Sequence, residues 1–236
     1  MNILDAVAIA ILALSIAAGY YQGLLATGAN VVGYFIALLS ANGLYIGMAQ
    51  GVKAAGKVIP ALLYYSEAAD MLGTVENYRA PVTELTQPAL QNILQGVSLP
   101  YPVDRWLAEN VHSLQYAGLG LTRLGDYLSR TIAETAVNVV CFIAIFAIVY
   151  VSATLLVNLV HYVVKLPALQ FLDGVTGAIV GLGRGVLLVL VLFLVLPVVL
   201  SMLPVEQLTS IVSESKLAGY FYHQNFVLNM IRSYIP

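Results

Sequence analysis

Charge is what this sequence lacks most. Asp, Glu, Lys and Arg make up 9% of its 236 residues, and 60% are hydrophobic, with a mean hydropathy of +0.88. A soluble domain carries about 25% charged residues, so a mainly solvent-exposed globule is excluded. A net charge of −2 and a pI near 5.9 leave no electrostatic footprint for nucleic acid. The single cysteine, Cys141, excludes an internal disulfide and reads as a small apolar core residue. The three histidines, His112, His161 and His223, include no pair at metal-ligand spacing, and no cofactor motif occurs. No nucleophile elbow, zincin helix or catalytic carboxylate pair is present, so no catalytic residue is assigned and an enzyme is not expected. No basic region precedes the first apolar run, which starts behind Asp5, so the run reads as a retained span rather than a secretory signal.

The charges that exist leave long gaps. None occurs between Asp5 and Lys53, between Glu134 and Lys165, or between Arg184 and Glu206. About 20 apolar residues cross a bilayer, and continuous runs of this length exclude barrel strands. The expected fold is an all-α integral membrane protein with four transmembrane helices, at about 4–20, 26–50, 135–163 and 176–203. Its parts are a first helix pair (1–50), a hydrophilic helical insertion (51–133), a second helix pair (134–203) and an amphipathic C-terminal tail (204–236).

The insertion holds six of the ten basic residues. Pro88 ahead of Leu90, Ile93, Leu94 and Val97 predicts one short helix, and Asp104 ahead of Leu107, Val111 and Leu114 predicts a second with the aspartate as cap. Leu121, Leu124, Leu128 and Ile132 form a third stripe that runs toward the third span. In the tail, Leu208, Ile211, Val212 and Leu217 alternate with Glu206, Ser213, Glu214 and Lys216, which suits a helix on the membrane surface.

Residues 172–185 read LDGVTGAIVGLGRG. The lysine and hydroxyl of a phosphate loop are missing, as is the G-x-G-x-x-G order of a dinucleotide fold. Gly174, Gly177, Gly181 and Gly185 instead share one helical face, and Gly19 with Gly23, and Gly43 with Gly47, repeat the device. Small residues at this spacing let helix backbones approach closely in lipid.

This stretch, preceded by KLPALQF (165–171) and a long apolar helix, resembles the signature of the colicin V production protein family. GYYQG (19–23) is similar to that family's glycine-flanked turn, with Gln22 where a basic residue is common, and SESKLAG (213–219) fits its tail. The resemblance covers the first 50 residues and about 135–220, with the insertion as a variable part. It implies a bacterial cytoplasmic (inner) membrane protein linked to bacteriocin production or export and to envelope homeostasis. Its partners are the lipid bilayer and either further copies or other membrane proteins.

A few polar groups lie within the apolar runs. Asp5 and Asp173 open apolar helices in LDAV and LDGV, as N-caps or as ion or proton sites. Arg184 reaches the interface if the fourth span starts near 185; with a start near 174 it lies in the membrane and needs a partner, for which Asp173 or Asp5 is available. Tyr150, Thr154, Asn158 and His161 form a stripe on the third span. Such a stripe serves helix association by hydrogen bonds, or lines the water-filled path of an oligomeric channel or transporter.

Overall fold

A computed structural model describes residues 2–64, 68–97, 99–163 and 170–202, together with 212, 214, 215, 217, 220, 221 and 225–231. The elements in chain order are α1 (Ile3–Ala54), α2 (Val58–Tyr64), α3 (Ala68–Met71), α4 (Val75–Arg79), α5 (Gln87–Gly96), α6 (Val103–His112), α7 (Leu124–Val163), α8 (Gln170–Leu192) and α9 (Val195–Met202), with two short 3-10 turns. Among the described residues the extended pairing amounts to one isolated bridge, Pro81 with Arg123. The fold is all-helical.

Three helices are long and apolar enough to cross a membrane, Ile3–Ala54, Leu124–Leu159 and Asp173–Ser201. The first is not one rod. Gly23 has φ 77° and ψ 176°, a conformation essentially confined to glycine. Across it, the Thr27 hydroxyl donates to the carbonyl of Gly19 at 3.4 Å, and the Asn30 amide donates to Gln22 Oε1 at 3.1 Å. Eight residues of unbroken helix rise about 12 Å, so these bonds require the two arms, 3–22 and 24–54, to fold back at Gly23.

The chain divides into two compact units. One comprises Met1–Tyr45, Cys141–Leu194 and Ser210–Met230. Its core is aromatic, with Tyr34 edge-on to Phe146 at 5.2 Å and to Tyr150 at 6.2 Å, and Tyr45 against Phe142. The Tyr34 hydroxyl donates to the carbonyl of Leu187 at 3.0 Å, which ties the second arm to α8. Part of the tail is drawn inward, while Glu214, Tyr220 and Phe226 stay exposed. Asn225 donates to the carbonyl of Leu190 at 2.7 Å, and Val227 and Leu228 are buried. The predicted surface helix falls largely outside the described residues, including Glu206, Leu208, Ile211, Ser213 and Lys216.

The other unit comprises Ile46–Val140, Val195–Thr209 and Ile231–Pro236. Trp106 and Leu107 of α6 pack in its core with Leu124, Leu128 and Ile132. The stripe read before the third span runs directly into it: Leu124, Leu128 and Ile132 lie in α7, which starts at Leu124, and Leu121 precedes it. Pro88 lies in the first turn of α5, where its missing N–H costs nothing. Asp104 does not cap α6: the helix starts at Val103, two residues earlier than that cap requires, with Pro102 at the cap position. Gly125 faces the ring of Tyr78, which occupies the space a Cβ would need. The Tyr78 hydroxyl donates to Asp126 at 3.2 Å, and burial together with that carboxylate pushes it above the ordinary tyrosine range. Glu134, nearly fully buried, receives Lys53 at 3.0 Å and Arg130 at 2.7 Å.

Candidate functional site

The first arm of α1 and α8 run antiparallel along a seam of small residues in the first unit. A Cβ on Gly19 would overlap the carbonyl oxygen of Gly177, and one on Gly177 would overlap that of Gly19 and lie 2.7 Å from the carbonyl carbon of Gly23. One on Gly181 would overlap the Ser15 carbonyl, and one on Gly185 would lie 3.0 Å from the Ser15 Cβ. Gly174 faces the ring and carbonyl of Tyr20 at 3.1 to 3.3 Å. The opposite holds on the second arm: Gly43 and Gly47 have no neighbour within 4 Å.

Both aspartates reach segments beyond their own helices. Asp173 lies in the first turn of α8, yet its Oδ1 accepts from the backbone N–H of Leu24 at 2.8 Å, the first residue after the Gly23 break. It therefore satisfies a donor exposed by the start of another helix arm. Asp5 accepts from the Ser215 hydroxyl at 2.5 Å and from the Leu217 N–H at 3.2 Å, so it holds the tail.

Arg184 pairs with neither. α8 begins at Gln170, which places Arg184 well inside the helix, 7% exposed. Its Nη1 donates to Gln22 Oε1 at 3.4 Å, long for a charged donor, and its Nε has no acceptor. The same Gln22 oxygen accepts from Asn30, whose own Oδ1 is also unsatisfied. Gln22 thus joins the two arms and α8 in one polar cluster. The sequence marked it as a departure from the family's turn, and nothing in the spacing pointed to Asn30 or Tyr34.

The α7 stripe does not act as one set. Tyr150 stacks on Phe146 at 5.6 Å and closes the aromatic core. The Thr154 hydroxyl is buried without a partner, and Asn158 is exposed. The side chain of His161 lies outside the described residues, as do Lys165 and His223. The second unit holds two clefts. One of about 410 Å³ lies beside Leu90, Glu109 and His112, and one of about 460 Å³ beside Tyr78, Asp126 and Arg130. Among the described residues no group of three His, Cys, Asp or Glu could hold a metal.

These features, long apolar helices joined by a glycine seam that ends in LDG and GRG, have a family counterpart. The model of the family described as colicin V production protein matches residues 107–225, half of the chain. The chain belongs to the colicin V production protein family. It is accordingly a membrane protein of a family linked to colicin V production. The match takes in α7 and α8 and reaches back into α6, further into the insertion than the sequence resemblance did, and it leaves out the first 50 residues. No curated protein and no solved structure matches the chain.

Proposed function

We propose that this member of the colicin V production protein family is a non-enzymatic component of the bacterial cytoplasmic (inner) membrane that supports bacteriocin production or export, or envelope homeostasis, by associating through its helix faces. It crosses the membrane four times, by the two arms of α1, by α7 and by α8. The observation that supports association is the contrast between two glycine sets. Gly19 and Gly177 are consumed by packing inside the chain, whereas Gly43 and Gly47 sit on an exposed face of the second arm with nothing within 4 Å. In lipid, apolar side chains gain little by meeting each other, and close backbone approach at small residues is what draws helices together. A second copy or another membrane protein supplies the missing face.

Replacing Gly43 and Gly47 together by leucine in a bacteriocin-producing strain lowers export while leaving the amount of membrane-inserted protein unchanged. Unchanged export would overturn the reading.

The second reading, an oligomeric channel or transporter, draws on the unsatisfied Thr154 hydroxyl and the exposed Asn158 of α7. Planar-bilayer currents altered by Asn158→Leu would favour it, and silence across voltage, tension and salt gradients would favour the first.

A further inference from the structure

Arginine remains charged at every accessible pH. A buried charge is tolerated when it is paired and hydrogen-bonded, and an ionisable group inside a membrane helix marks a site by default. Arg184 meets the first condition poorly. It is more than nine-tenths buried, its single hydrogen bond is a long one to a neutral amide, and its Nε–H has no acceptor. Of the acidic side chains described in its unit, Asp173 is engaged with Leu24 and Asp5 with Ser215 and Leu217, and Glu214 is exposed. Among the described residues no carboxylate stands within ion-pair distance of it.

The neighbouring unsatisfied atom is of the opposite kind. Asn30 is 1% exposed and its Oδ1 lacks a donor. Arg184 Nη1 and Asn30 Nδ2 converge on one oxygen, Gln22 Oε1, at 3.4 and 3.1 Å, so both side-chain ends lie within the span of one small group. Gln22, which both side chains share, is only half-buried. The missing partner must therefore offer an anionic oxygen to the guanidinium and an O–H or N–H to the asparagine.

We propose that Arg184, Gln22 and Asn30 form a binding site for a phosphate group that carries a hydrogen-bond donor beside it. Hydrogen phosphate satisfies this with its own hydroxyl, and a phospholipid headgroup with its glycerol hydroxyls or ammonium. A bidentate guanidinium contact suits either.

The test uses the full chain purified in a sugar-headgroup detergent, which contributes no phosphate. Thermal unfolding is followed with inorganic phosphate, with mixed micelles containing phosphatidylglycerol, and with sodium chloride at matched ionic strength. Binding to the folded state raises Tm by at least about 3 °C. A rise with both phosphate probes establishes a site for the free anion. A rise with phosphatidylglycerol alone establishes a lipid-headgroup site. Arg184→Gln abolishes the response. Gln22→Glu, which places a carboxylate on the guanidinium, starts at a higher Tm and no longer responds, and it serves as the deciding variant where Arg184→Gln fails to fold. No response of the natural sequence to either probe, an equal response to chloride, or an undiminished response in Gln22→Glu would each overturn the proposal.

Discussion

Gly19 and Gly177 exclude each other's side chains: a Cβ built on either residue overlaps the carbonyl oxygen of the other. The first arm of α1 and α8 thus meet backbone to backbone, and Gly181 against Ser15 repeats the contact one turn further along. Close approach of this kind is what lets two apolar helices gain from meeting each other rather than lipid.

Gly177→Ala is therefore expected to destabilise the protein by about 1–3 kcal/mol, the usual cost of overpacking. Gly43→Ala, with open space around it, is expected to be neutral or to stabilise by up to about 1 kcal/mol, because alanine is the better helix former. Thermal unfolding of the two variants in the same detergent checks the contrast.

The Gly23 turn is doubly constrained. Its φ of 77° with ψ of 176° disfavours any side chain, and an added Cβ would overlap the Asp173 carboxylate. Gly23→Ala is expected to cost about 1–3 kcal/mol from backbone strain alone. It should also raise protease sensitivity between the arms, whereas Gly28→Ala, with nothing within 4 Å, should do neither. Limited proteolysis alongside unfolding measures both.

Buried Glu134 pairs with two partly buried cations at once. Glu134→Ala leaves the partly buried Lys53 and Arg130 without their carboxylate and is expected to cost about 1.5–3 kcal/mol, the usual loss of hydrogen bonds to a charged group. Lys53→Met, which leaves Arg130 in place on Glu134, should cost less. The order of the two midpoints in thermal unfolding is the check.

Cysteines placed singly at 154 and 158, on a Cys141→Ser background, are expected to resist water-soluble thiol reagents while the protein is in its membrane. Asn158 is exposed, and on the association reading the group it faces is lipid or a partner helix rather than water. Labelling at either position would support a water-filled path.

Much of this architecture is legible in the sequence because charge spacing and glycine spacing are properties of single segments. The gap from Asp5 to Lys53 and the face shared by Gly174, Gly177, Gly181 and Gly185 can be read without knowing any partner. What escaped were relations between segments. Asp173 looks like the cap of its own helix, and only the hairpin fold brings the Leu24 N–H to it. Arg184 could be placed at the start of an apolar helix or within one, and the start of α8 at Gln170 puts it well inside the helix. Gln22 stood out as a departure from a family turn, but its role depends on Asn30, eight residues on, returning beside it. Asp104 shows the smaller error inherent in local rules, where a helix start shifted by two residues turns an expected cap into a first-turn residue.

Disulfide cross-linking between copies tests the central claim most directly. Gly43→Cys and Gly47→Cys, each on a Cys141→Ser background, are oxidised in native membranes and compared with Val151→Cys on the exposed face of α7. The account predicts covalent products at 43 and 47, either dimers or one reproducible adduct with another membrane protein, well above the yield at 151. Equal or absent cross-linking at all three positions would contradict an association face on the second arm.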